Sequence, residues 1–217
     1  MFDDRNRLES SMIQRLLTAP FRHILDAQRE MRRSQFELLG SAPGAALFLG
    51  DSITEQGNWD EWFPELRVLN RGIGGDTVAG VRTRLTSAVN TPAAISLLIG
   101  TNDLGGAGVS EKPSEIASEL QKLITELRTL APEATLLINS VMPRKAAFAQ
   151  RIRDLNAHIE DMAVQAEATY VDLWPRFANE NGALRTEYTR DALHLTGAGY
   201  KAWTDILRPH LTEAVEY

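Results

Sequence analysis

The 217-residue chain has no cysteine, 43% hydrophobic residues, 24% charged residues and a formal net charge of −6. Those values suit a soluble α/β protein long enough to bury one sizeable core. They exclude disulfides, thiolate metal sites and a cysteine nucleophile. They also argue against a nucleic-acid partner, since no basic stripe with interleaved aromatics is present.

Met1–Arg7 is charged, and no apolar stretch follows before Pro20. No signal peptide is expected, no apolar run is long enough to span a bilayer, and a cytoplasmic location is the default. Leu8–Leu17 and Phe21–Leu39 read as helices, separated by Pro20 and stopped at Gly40. Phe21, Ile24, Leu25, Met31, Leu38 and Leu39 supply an apolar face to the second. Residues 1–40 are thus expected to be a helical extension of a single domain spanning 1–217, and a packing or homodimer-forming element.

Five strands follow: Ala45–Leu49, Arg67–Asn70, Ile95–Ile99, Thr135–Asn139 and Thr169–Leu173. Val78, Val81 and Leu85 mark a helix capped by Asp76 or Thr77. Ile116, Leu120, Leu123, Leu127 and Leu130 repeat at helical spacing behind Pro113, as do Phe148, Ile152, Leu155, Ile159, Met162 and Ala166. Thr196–Leu207 closes the chain as a helix. Strand alternating with helix predicts a parallel sheet covered on both faces. In such sheets ligands bind beyond the carboxyl ends of the strands. Ser52, the Gly72–Asp76 loop, Thr101-Asn102-Asp103 and Met142-Pro143-Arg144 each follow a strand, so one edge should gather them.

That edge holds a possible acyl-transfer set. Ser52 lies just past the first strand, and Asp191 and His194 share one loop near the other end of the chain. A serine hydroxyl needs a base to take its proton. An imidazole does so near neutral pH, and a carboxylate holds its tautomer. Taken alone, Gly50-Asp51-Ser52 reads more readily as a helix cap or turn than as a nucleophile, and Thr54 stands where a Gly-x-Ser-x-Gly elbow would have its second glycine. Gly72-Ile73-Gly74-Gly75-Asp76-Thr77 does not complete a dinucleotide fingerprint, because Thr77 falls on the third glycine; no P-loop occurs. Asn102 is a neutral donor suited to an oxyanion, or a plain turn residue, and Asp103 receives no role. His23, His158 and His210 read as surface or packing residues. No zinc spacing appears, so neither cofactor nor metal is expected. Trp59, Trp62, Trp174 and Trp203 read as core or pocket wall.

Four blocks in this order make the chain resemble the GDSL, or SGNH, esterase and lipase family. Gly50-Asp51-Ser52 matches its nucleophile block, Gly72–Thr77 its second, Gly100-Thr101-Asn102-Asp103 its third, and Asp191-Ala192-Leu193-His194 its last. The resemblance spans about Ala45 to Tyr200. Gly-Asp-Ser-Ile-Thr, Gly-Ile-Gly-Gly-Asp-Thr and Val-Met-Pro-Arg are most similar to the catalytic subunits of platelet-activating-factor acetylhydrolase and bacterial relatives. The family has Leu where this chain has Ile53.

The resemblance implies a flavodoxin-like α/β/α sandwich with five parallel strands. It implies Ser52 as nucleophile, His194 as base and Asp191 as its partner, with the oxyanion held by the N–H groups of Ser52 and Gly75 and the amide of Asn102. The expected substrate is a small-molecule ester (a lipid, a sugar acetate or a small ester), with short acyl groups such as acetyl hydrolysed faster than long ones. An acyltransferase using the same triad, or a non-catalytic phosphate- or nucleotide-binding module, is the alternative.

Overall fold

A computed structural model describes residues 23–39, 42–89, 91–105 and 110–215. The expected helix Leu8–Leu17 lies outside them. The chain divides into two units, Met1–Leu38 and Leu39–Tyr217. The described part of the first is a helix over 23–38, here α1. Its Ile24, Met31 and Leu38 are exposed, and the Arg32 guanidinium lies over the Phe36 ring at 5.4 Å.

The second unit runs β1 (Ala46–Gly50), α2 (Ser52–Glu55), α3 (Trp59–Trp62), β2 (Val68–Gly72), α4 (Val78–Arg82), α5 (Leu85–Ala88), β3 (Ala94–Leu98), α6 (Thr101–Gly105) and α7 (Pro113–Leu130). It continues through β4 (Thr135–Asn139), a 3₁₀ turn at Ala146–Phe148, α8 (Ala149–Gln165), β5 (Thr169–Val171), α9 (Trp174–Phe177) and α10 (Gly197–Val215). The five strands are all parallel, in the order β2-β1-β3-β4-β5. This is the flavodoxin-like order. Its topological switch point lies between β1 and β3, whose carboxyl ends lead to Ser52 and Asn102.

Successive strand residues point to opposite faces, so an unbroken apolar run fills two cores. Leu47, Leu49, Ile95, Leu97, Leu136 and Ile138 face the layer of α4, α5, α7 and α8. Ala46, Phe48, Ala94, Leu98 and Leu137 face the layer containing α3, α9 and α10. There Phe48 stacks on Trp59 at 4.0 Å, and Trp203 meets Trp59 edge-on at 4.8 Å. Of the two readings open for Trp59, core or pocket wall, the core holds, and Phe63 is buried beside it. Helix α7 starts where expected: Pro113 needs no N–H partner, and the Glu115 carboxylate accepts the Lys112 N–H at 2.9 Å.

Strands β1, β2 and β3 shift by one or two residues from the sequence reading, and three further boundaries differ for tertiary reasons. The helix after Thr77 breaks at Thr83-Arg84 into α4 and α5, because the buried Arg84 side chain turns inward to Asp76 and the Gly50 carbonyl. Strand β5 stops at Val171, where the Ser140 hydroxyl accepts the Leu173 N–H and Asp172 accepts that of Trp174. Helix α10 continues through Pro209 to Val215, since burying Leu207 and Leu211 outweighs one missing backbone hydrogen bond.

Candidate active site

Ser52 opens α2, a helix of four residues that could not hold its shape alone. Asp51 caps it, Oδ1 accepting the Ile53 N–H at 2.9 Å. Distant side chains satisfy its carbonyls. The Tyr200 hydroxyl donates to Ile53 O at 2.7 Å, the Trp59 indole to Thr54 O at 2.8 Å, and the Asn70 amide to Glu55 O at 2.9 Å. The nucleophile candidate thus sits on a segment fastened from three other elements.

The glycine loop lies against this helix. A Cβ on Gly72 would stand 2.2 Å from the Glu55 backbone nitrogen, so only glycine permits the approach. The Asp76 N–H donates to Ile73 O at 3.1 Å, closing a turn with Gly75 at φ +75°, the left-handed conformation of a type II turn. The Glu55 carboxylate accepts the Gly74 N–H at 2.7 Å. No hydrogen bond to another described residue takes the Gly75 N–H or that of Ser52.

Asn102 lies on α6, which follows β3. Its Nδ2 donates one hydrogen to Asp76 O at 2.9 Å, placing the amide beside the Gly75 turn with its second hydrogen uncommitted among the described residues. Asp103, left without a role by the sequence, accepts the Val78 N–H with both carboxylate oxygens at 3.1 and 3.3 Å and so ties α6 to α4. Arg144 Nη1 donates to Thr101 O at 3.1 Å and Gly105 O at 2.9 Å, bracketing α6 end to end.

Asp191 organises its own loop. Its Oδ1 accepts the N–H groups of Leu193 at 3.0 Å and His194 at 2.8 Å, while Ala192 takes φ +62°, a strained conformation for a residue with a side chain. That turn brings Asp191 Oδ2 to 2.7 Å from His194 Nδ1. A carboxylate only accepts, so Nδ1 carries the hydrogen and Nε2 presents its lone pair. Nε2 lies 3.0 Å from Ser52 Oγ, across 142 residues of sequence. Desolvation would raise the Asp191 carboxyl, but the hydrogen bonds from the His194 ring, its N–H and that of Leu193 hold it at about 2.

Residues 48–202 match the model of the GDSL-like lipase/acylhydrolase family, a span that contains Ser52, Gly75, Asn102, Asp191 and His194. The chain belongs to this family. As a GDSL-like member it is a carboxylic ester hydrolase. It is 29% identical over 166 residues to platelet-activating factor acetylhydrolase IB subunit alpha2 of Rattus norvegicus, covering 71% of this chain and 70% of that one. A solved structure named for platelet activating factor, from Streptococcus pneumonia, superposes with a TM-score of 0.80 at 25% identity, covering 93% of this chain and 99% of that one. A GDSL-like lipase of Bacteroides thetaiotaomicron shares the fold, with a TM-score of 0.72 at 23% identity over 87% of this chain and 98% of that one.

Within this GDSL-like site the charges are unevenly distributed. Asp51, Asp76 and Asp103 are all buried, and each adjoins in sequence a residue singled out above: Ser52, Gly75 and Asn102. Arg84 pairs with Asp76 at 2.7 Å. Burial, opposed by the Ile53 N–H and reinforced by the charges of Asp76 and Asp103, pushes the Asp51 carboxyl up to about 7. Burial likewise pushes Asp103 up to about 6. Half-buried Arg144 is lowered by desolvation, against the charges of Asp51 and Asp191 that favour its cationic form.

Among the described residues, no group of three or more His, Asp or Glu side chains is arranged to hold a metal ion, and no helix is long and apolar enough to cross a membrane. His23 and His158 are exposed. His210 lines a cavity of about 290 Å³ with Thr135, Thr169 and Glu213, at the amino ends of β4 and β5 and away from Ser52. The supporting residues Glu55, Asn70, Arg84 and Tyr200 carried no signal in the sequence, since each binds a backbone atom or a partner outside the motifs.

Proposed function

We propose that this enzyme hydrolyses short-acyl esters, acetyl esters first, through Ser52, His194 and Asp191. The observation that carries the reading is the continuous hydrogen-bonded chain from Ser52 Oγ through His194 to Asp191, at 3.0 and 2.7 Å. His194 Nε2 takes the Ser52 proton as Oγ attacks the ester carbonyl. Asp191 keeps the ring in the required tautomer and stabilises the imidazolium. The carbonyl oxygen becomes an oxyanion, held by the Ser52 and Gly75 N–H groups and the second hydrogen of the Asn102 amide. His194 then protonates the leaving alcohol. Water, deprotonated by the same nitrogen, cleaves the acyl-enzyme and releases the acid.

Two observations support a small acyl group. Leu104 and Met142, two apolar residues that follow β3 and β4, are spent on the cores at 0% and 2% exposure. The Phe148 ring is covered by the Arg144 guanidinium at 4.3 Å. The Rattus norvegicus relative is named an acetylhydrolase, which points the same way. The test is kcat/KM on p-nitrophenyl esters from acetate to palmitate, for the wild type and Ser52→Ala together. The expected maximum is at acetate, with Ser52→Ala inactive throughout. A maximum at octanoate or beyond overturns the acyl preference. A folded, active Ser52→Ala overturns the nucleophile.

A further inference from the structure

Gly75 matters to the proposed chemistry only if its N–H points at the reacting oxygen, and a two-glycine turn does not guarantee that by itself. Gly74 and Gly75 are the central residues of the turn closed by Asp76 N–H to Ile73 O. Glycine adopts positive and negative φ with similar ease, so neither residue by itself fixes where the turn lies relative to Ser52. Something outside the turn must hold it there.

We propose that Glu55 does this by anchoring the Gly74 N–H, and that it is a positioning residue of the oxyanion hole. This rests on the assignment of Ser52, Gly75 and Asn102 given above. Glu55 is the last residue of α2 and Ser52 the first, so nucleophile and clamp belong to one rigid turn of helix. Glu55 Oε2 accepts the Gly74 N–H at 2.7 Å, a short charge-assisted bond reaching across 19 residues. The Gly74 backbone is wedged between clamp and nucleophile: a Cβ built there would lie 3.0 Å from Glu55 Oε2 and 3.9 Å from Ser52 Cβ. Holding Gly74 leaves Gly75 at φ +75° with its N–H uncommitted among the described residues. The clamp also sorts two neighbouring donors. Gly74 is consumed by the protein, and Gly75 is left for the substrate. Because the Gly74 N–H needs only an acceptor oxygen, an uncharged amide oxygen at the same reach can hold it.

The experiment compares Glu55→Ala, Glu55→Asp and Glu55→Gln with the wild type and Ser52→Ala, on p-nitrophenyl acetate. Thermal melts establish that each is folded. Glu55→Ala is expected to lower kcat about 10–100-fold, less than outright loss of an oxyanion donor, with KM within about twofold. Glu55→Asp, one methylene too short, is expected to fall with it and is the variant read if Glu55→Ala does not fold. Glu55→Gln keeps an acceptor oxygen at full reach and is expected within about threefold of wild type. Inhibition by a methyl trifluoromethyl ketone, whose serine adduct carries an oxyanion, should weaken in parallel with kcat/KM. A folded Glu55→Ala or Glu55→Asp with wild-type kcat overturns the proposal. So does a Glu55→Gln as impaired as Glu55→Ala, or an impaired variant whose inhibitor affinity is unchanged. Ser52→Ala separates the two levels: activity there sinks the catalytic assignment, whereas an inactive Ser52→Ala beside a wild-type-like Glu55→Ala sinks only the clamp.

Discussion

The Tyr200 hydroxyl donates to the Ile53 carbonyl at 2.7 Å, joining the first turn of α10 to the residue after Ser52. Since α10 begins three residues beyond His194, this one bond fixes His194 and Ser52, the proposed base and nucleophile, to a common frame. Burial raises the phenol well above its ordinary value, so it remains a donor throughout the working pH range. Tyr200→Phe keeps the ring and strands a buried carbonyl. It is expected to lower stability by about 1–3 kcal/mol and to reduce kcat more than it changes KM. Urea denaturation and steady-state kinetics check the two parts separately. A lower midpoint with unchanged kcat would make the bond purely structural.

Ser52 and His194 should behave as one unit. Ser52→Ala and His194→Ala are expected to reach the same low floor of kcat, and the double variant to be no worse than either. Asp191→Asn should be damaging but less so, since Ser52 and the imidazole remain while the tautomer that Asp191 enforces is lost. Losses that add in the double variant would show that the two side chains act in separate steps.

Asn102→Ala is expected to reduce kcat by roughly 10²–10³-fold with KM changed only a few-fold, the pattern for loss of one oxyanion donor. The variant also loses the bond to Asp76 O, so thermal melts must accompany the kinetics. A raised KM with intact kcat would make Asn102 a ground-state binding residue.

Asp51 carries a pH signature. Its carboxyl titrates near 3.8 when unperturbed and is pushed up to about 7 in the fold, by burial first and then by Asp76 and Asp103. Between those values the folded state binds the proton that the unfolded state has released. The contribution of Asp51 to stability is therefore fully present below about 3.8, falls as pH rises through this window, and is gone above about 7. A three-unit shift corresponds to about 4 kcal/mol across the window. Asp51→Asn should flatten this slope, leaving the smaller contribution of Asp103, which runs in the same direction up to about 6. Asp191, held at about 2, opposes both only at the acid end, where its stabilisation is lost as pH falls from about 3.8. Melting temperatures from pH 4 to 8 (a range of roughly the carboxylate window) decide: equal slopes in variant and wild type would remove Asp51 from the account.

Hydrophobic periodicity is local, and it made all five strands and the long helices α7 and α8 legible within a few residues. The same alternation implied helices on both faces, and the carboxyl-end rule drew Ser52, Gly75 and Asn102 toward one edge. Asp191 and His194 were readable as a pair because a three-residue step closes a turn without help from the rest of the chain. The helix ends that moved, at Arg84 and Pro209, moved for tertiary reasons: a buried guanidinium turning inward, and apolar residues beyond the proline that had a core to enter.

Strand order was not legible in this way, because any permutation of five apolar strands buries similar surface. Only the folded chain sets β1 beside β3, and that adjacency carries Ser52 and Asn102 to the same crevice. The approach of His194 to Ser52 across 142 residues is likewise a property of the assembled layers. So are the clamps at Glu55, Tyr200 and Arg144, whose partners are backbone N–H and C=O groups. Every residue type presents those same two groups, so a sequence has no letter for them. The chain by itself specified which side chains could do the chemistry. Tertiary structure decided which of them meet, and at what angle, because hydrogen bonds to the main chain depend on position alone.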